Sequence, residues 1–189
     1  MRSNYPKAIK GRLAIASFLK RARRDEKGVT AVEFALIAMP FFAMLFGIIA
    51  VALFFFTTFT LENAIEQASR AIRTGQAQSQ GMTTSEFKQS VCDNAPSYID
   101  CGGKIRVNVQ TFSAFGSVSN PSCTDSGGDL IPEPPPTPVP GAAGEIVLVT
   151  VCYQWDLAAN LPFLKLGNMS NDSRMIRATT TFRTEPFGS

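Results

Sequence analysis

At 189 residues with a net charge of +3, the chain has room for one modest domain and one membrane span, not for two globular domains. It contains no histidine, which excludes His-based triads, His-ligated zinc and imidazole acid–base catalysis. The small net charge conceals an asymmetry: residues 1–28 hold nine Lys/Arg against Asp25 and Glu26, whereas residues 61–189 hold nine against twelve acids, a net +7 before the apolar centre and −3 after it.

The basic N-terminal stretch has a short apolar patch, Leu13 to Leu19, too brief to span a bilayer. It reads as a cytoplasmic tail drawn to anionic lipid at about 1 kcal/mol per basic residue near the surface. From Val29 to Phe56 the only ionisable side chain is Glu33, and this run exceeds the roughly 20 apolar residues that a membrane span needs. Because basic residues flanking a span stay on the cytoplasmic side, the expected topology is N-terminus inside and C-terminal part outside. Pro40 inside the run is expected to kink the helix by removing one backbone bond.

Glu33 has two readings. In the plainer one it lies in the first helical turn, where the helix dipole favours an acid by about 0.3–1 kcal/mol. In the other it belongs to the string K-G-V-T-A-V-E-F, in which a glycine is followed by four small or apolar residues, then Glu and an aromatic. A secretory signal peptide ending at Ala50-Val51-Ala52 fits less well, since its apolar core runs to about 7–15 residues and this one is far longer and continues through Phe56.

Past Phe56 the pattern turns amphipathic: Leu61, Ala64, Ile65, Ala68 and Ile72 recur at spacings of three and four, so one stripe is buried. Glu66 and Arg70 form a favourable i, i+4 pair, and Gly75 is the expected stop. A helix from about Val29 to Thr74 would be roughly 70 Å long.

Thr84 to Val91 reads as a short helix capped by Thr84. Lys104 to Phe112 alternates as a half-buried strand, with Ile105, Val107 and Val109 on one face. Residues 116–144, with six prolines between Pro132 and Pro140, are expected to form a surface loop containing polyproline II conformation. Glu145 to Trp155 is apolar on both faces and therefore a central strand; Arg174 to Arg183 supplies a third strand, with Ile176, Ala178, Thr180 and Phe182 on one side. The expected fold is α+β, a long N-terminal helix carrying a small antiparallel sheet.

All four cysteines (Cys92, Cys101, Cys123, Cys152) follow the span, where disulfides form if this is a bacterial envelope protein, and their spacing matches no C-x-x-C metal or redox pattern. Of three possible connectivities the preferred one is Cys92 with Cys101 and Cys123 with Cys152: the first closes a short helix-to-strand turn, the second ties the long loop to the central strand.

The K-G-V-T-A-V-E-F string resembles the processing site of type IVb prepilins. Together with L-E-N-A-I-E-Q-A-S-R-A-I-R-T-G-Q-A-Q at 61–78, T-F-S-A-F at 111–115 and F-R-T-E-P-F at 182–187, it resembles the TadE family of pseudopilins of the tight-adherence (Flp pilus) machinery. The resemblance implies cleavage by a prepilin peptidase after Gly28, with Val29 the first mature residue, Glu33 the fifth and Phe34 in the aromatic place behind it. It implies residues 1–28 as leader, 29–78 as the long helix and 79–189 as an extracytoplasmic head, in a single-pass protein of the bacterial inner membrane. It also implies partnership with the peptidase, other pilin-like subunits and the inner-membrane Tad platform, in a non-enzymatic role. A new α-amine at Val29, with a pKa near 8 and so mostly cationic, would be compensated by Glu33, the implied donor being a neighbouring subunit's amine.

No Gly-rich phosphate loop follows a strand, and no cofactor, metal or nucleic-acid partner is expected. Two other readings compete: an uncleaved, signal-anchored periplasmic binding module, and a hydrolase using carboxylates alone.

Overall fold

A computed structural model describes residues 26–160 and 165–187, so most of the basic stretch falls outside it. The chain divides into two compact units, residues 1–51 and 52–189. The helix α1, Glu26–Arg73, contributes to both. In the first unit it exposes Val32, Phe34, Leu36, Ile37, Met39, Phe41 and Met44, each at least 59 % accessible, as a helix surrounded by lipid does. Among the described residues, this one helix is long and apolar enough to cross a membrane. It runs through Pro40, whose missing N–H leaves the Leu36 carbonyl without its usual acceptor role.

In the second unit the amphipathic stripe is buried as its spacing requires: Leu61, Ala64, Ile65, Ala68 and Ile72 are at most 3 % exposed. Each of the larger three contributes about 1.5–3 kcal/mol by leaving water. They share one hydrophobic cluster with Phe87 and Val91 of α3 (Thr84–Asp93), with Ile105 and Val107 of β1 (Ile105–Phe112), and with residues of β2 (Ile146–Trp155) and β3 (Arg174–Arg183). A four-residue helix, α2 (Gln76–Ser79), follows α1.

The sheet is antiparallel with order β1-β2-β3, and β2 is central, as its two apolar faces require. Val147, Val149, Val151, Tyr153 and Trp155 join the core with α1, while Leu148, Thr150 and Cys152 are buried on the opposite face. Disulfides join Cys92 to Cys101 and Cys123 to Cys152, with Cα separations of 6.1 and 5.6 Å. The second fastens the long loop to the central strand.

Two expectations change. The cap of α3 is Thr83, not Thr84: Thr83 Oγ1 accepts from Glu86 N–H, and Glu86 Oε2 accepts from Thr83 N–H at 2.7 Å, a capping box. Thr84 instead holds the Pro-rich segment, donating its N–H to Thr137 O at 2.8 Å and accepting Thr137 N–H on its hydroxyl. That segment is also more than a surface loop. Pro132 to Pro138 are exposed, but Ile131 O accepts from Arg106 Nε, Glu133 pairs with both Lys88 and Arg106, and Val139 is buried in the core.

Candidate functional site

The residues of the prepilin-like string lie at the start of α1. The Gly28–Val29 peptide bond lies within α1, close to the first of its described residues. Val29 and Phe34 are 46 % and 71 % accessible, and Glu33 is exposed. Because α1 begins at Glu26, Glu33 is two turns in, beyond the reach of the dipole, which fades within the first turn. The dipole account of Glu33 therefore fails for the uncut chain. One helical turn separates Val29 from Glu33, which puts the two on the same helix face.

Three strings distant in sequence converge at one end of the sheet. Phe112 pairs with Ile146, which pairs in turn with Arg183. The Arg73 guanidinium lies over the Phe182 ring, 5.0 Å from its centroid, and Arg73 O accepts Glu185 N–H at 2.8 Å. Two turns earlier, Glu66 binds Arg73 at 3.0 Å, in place of the expected Arg70, and accepts the Thr180 hydroxyl at 2.8 Å. The chain then turns at Gly75, whose positive φ of 77° suits glycine. Phe187 packs against that glycine: a Cβ there would fall 2.5–2.6 Å from the two ring Cδ atoms. A shallow depression beside it, lined by Thr74, Gly75, Gln76, Gln78, Ser79 and Phe187, offers hydroxyls and amides but no titratable group.

A second cluster, which the sequence did not single out, surrounds the opposite end of β2. Trp155 meets Phe54 edge-on at 5.8 Å between centroids, and Arg174 stands over the Phe54 ring at 5.5 Å. Nearby, Lys104 Nζ lies 3.2 Å from Asp100 and 2.8 Å from Asp156. Hydrogen bonds to both acids raise the Lys104 pKa. Asp100 is lowered by its bonds from Lys104 and Gly102. Partial burial works to raise Asp156, but donors from Lys104, Gln154 and Ser173 outweigh it and the net shift is downward. Burial raises the Tyr153 phenol. These groups are satisfied by one another, an arrangement for holding β2 to its flanking loops rather than for proton transfer to a substrate. Among the described residues, no group of three or more Cys, Asp or Glu is placed to hold a metal ion.

A long apolar helix whose second half packs against a small three-stranded antiparallel sheet makes this an α+β protein. Residues 28–70 match the TadE family, described as TadE-like protein, in agreement with the resemblance carried by the sequence strings. The matched stretch opens at Gly28 and ends near the end of α1, so the sheet lies outside it. No curated protein and no solved structure matches the chain. By length and composition α1 is consistent with a single-pass membrane anchor.

Proposed function

We propose that the chain is a minor pilin, or pseudopilin, of a Flp/Tad-type pilus or related secretion machine, cut by a prepilin peptidase after Gly28. The observation that carries this reading is the family match beginning at that glycine, with Glu33 and Phe34 at the expected distance behind it. In this reading residues 1–28 are a cytoplasmic leader, α1 anchors the mature chain in the inner membrane, and residues 79–189 form a periplasmic head. The charge asymmetry and the two disulfides support that orientation. Its partners are the peptidase, other pilin-like subunits and the inner-membrane Tad platform.

Cleavage does two things at once. It removes the basic residues that hold the N-terminus at the cytoplasmic face, and it creates a cation at Val29 one turn from Glu33. In hydrocarbon both charges are unfavourable when alone, and a carboxylate costs about 2.5–3.5 kcal/mol at the centre of a span. Pairing Glu33 with the amine of a neighbouring subunit compensates both charges only in the assembled state, which couples docking to charge neutralisation.

Intact-mass and N-terminal sequencing of protein extracted from membranes of cells with an active prepilin peptidase test the reading. The expected N-terminus is Val29. A chain that keeps its basic leader in those cells is instead an uncleaved, signal-anchored module, and the proposal fails.

A further inference from the structure

The turns of α1 that follow the apolar run are built for apolar surroundings. Thr57 and Thr58 donate their hydroxyls back to Leu53 O and Phe54 O at 2.8 and 2.9 Å, Thr60 donates to Thr57 O, and the Asn63 amide donates to Phe59 O. Three threonines and an asparagine thus satisfy donors on their own helix, which suits these turns to apolar surroundings, although Thr57 is buried within the protein and Glu62 among them is exposed. On the same turns Phe55, Phe56 and Phe59 are 54–62 % accessible.

The head adds one residue to this surface. Tyr98 stacks on Phe56, with centroids 6.1 Å apart and planes at 25°, and its hydroxyl meets Thr60 Oγ1 at 2.9 Å. The ring is half accessible. It stands on the short loop closed by the Cys92–Cys101 disulfide, so the cross-link holds it against α1. At the same level of the helix, on its core-facing side, the Arg174 guanidinium stands over Phe54. Tyrosine and arginine flanking an apolar helix are side chains that settle at headgroup depth, the apolar part in the acyl boundary and the polar tip in water.

We infer that the disulfide-closed loop 93–100 is a foot that seats the head in the outer headgroup layer of the bilayer, with Tyr98 as its contact residue. The inference rests on the reading of α1 as a membrane span. Lipid is the occupant because the exposed rings continue the lipid-facing surface of that helix, with the hydroxyls around them already satisfied. The foot fixes the depth at which α1 leaves the membrane before the subunit is extracted for assembly.

The chain has a single tryptophan, so Tyr98→Trp in a Trp155→Phe background reports on the foot alone. The full-length variant is reconstituted in phosphatidylethanolamine–phosphatidylglycerol vesicles containing phosphatidylcholine brominated either near the headgroup or near the chain ends. Blue-shifted emission is expected, with quenching about twofold stronger from the shallow bromines, as headgroup depth requires. Protein that resists carbonate extraction yet shows solvent-like, unquenched emission overturns the foot and leaves the span intact. Blue-shifted but unquenched emission that grows with protein-to-lipid ratio assigns the surface to a second copy and also overturns it. Protein washed out by carbonate overturns foot and span together.

Discussion

Gly75→Ala tests the corner at which α1 meets the C-terminal segment. The substitution acts in two ways. A φ of 77° places alanine in the left-handed region, at about 1–2 kcal/mol. The added Cβ also overlaps the Phe187 ring. Phe187 is half-buried near the chain end and swings away, forfeiting about half of the 1.5–3 kcal/mol that a fully buried Phe side chain provides, or roughly 1 kcal/mol. The expected total is roughly 2–3 kcal/mol for Gly75→Ala, and about 1 kcal/mol for Phe187→Ala alone. In the double variant the backbone strain remains and the ring's burial is lost once rather than twice, so the two changes together are less damaging than their sum by about 1 kcal/mol. Urea unfolding of the detergent-solubilised protein, followed by Trp155 fluorescence, reads all four corners of the cycle. Additive effects, within about 0.3–0.5 kcal/mol, would show that the ring does not rest on the glycine.

Other outcomes follow from the same contacts. Glu133→Ala leaves Lys88 and Arg106, whose side chains are only 15 % exposed, without their carboxylate; a loss of about 1–3 kcal/mol is expected, with faster proteolysis between Pro132 and Pro138. Replacing Cys123 and Cys152 by serine is expected to lower stability by about 2–4 kcal/mol, read by the same unfolding assay. Glu33→Gln is expected to be trimmed normally but to enter assemblies about tenfold less well, equivalent to about 1.4 kcal/mol; unchanged incorporation in a pull-down of assembled fibres refutes the charge-compensation mechanism. The pH profile of unfolding reads the Asp100–Lys104–Asp156 group. Depressed carboxylates stabilise above their unfolded pKa, near about 4, and lose that stabilisation as pH falls through the lower folded values. Lys104, raised, stabilises below about 10.4 and loses it as pH rises through its folded value. The profile is therefore flat between roughly pH 5 and 9 and falls at both ends, by small amounts because these side chains are 36–51 % exposed. Lys104→Met is expected to flatten both arms.

The sheet was legible in the sequence because a period of two survives wherever one face is buried. Arg174 to Arg183 has the bounds its pattern predicts, and β2 is central because apolar residues occupy both its faces. The α1 stripe was legible for the same reason at a period near 3.6. Local chemistry was less secure: Thr83 and Thr84 adjoin, and only the position of Glu86 three residues after Thr83 decides which of them caps. The Pro-rich segment was misjudged because its ties are long-range. Composition describes Glu133 as one acid among prolines; its placement between Lys88 and Arg106 depends on where α3 and β1 pack. Tyr98 was missed because no pattern in Ala95 to Asp100 shows that the Cys92–Cys101 cross-link turns the ring onto Phe56. The prepilin-like string is the reverse case: Gly28, Val29, Glu33 and Phe34 are legible only as a string, and in the structure Val29, Glu33 and Phe34 are exposed positions on α1 like their neighbours.

The corner around Arg73 is where the C-terminal string at 182–187 meets the end of α1. Under the proposed function the subunit is drawn out of the membrane by its helix, and the pull reaches the head only through contacts between helix and sheet. Hydrophobic burial of Leu61, Ile65 and Ile72 resists separation but is non-directional. Directional resistance comes from Glu66 to Thr180, from Arg73 over Phe182, and from Glu185 N–H to Arg73 O, three contacts joining the last turns of α1 to β3 and its extension. Loss of Phe182 removes both an aromatic core residue and the platform for Arg73. Phe182→Leu keeps most of the burial and removes the platform. That variant is therefore expected to unfold in urea within about 1.5 kcal/mol of the unaltered chain, while exchanging the Glu185 amide hydrogen faster than its global stability accounts for. Exchange at Glu185 that simply tracks global unfolding would mean that the cation over the ring does not hold the C-terminal segment to the helix.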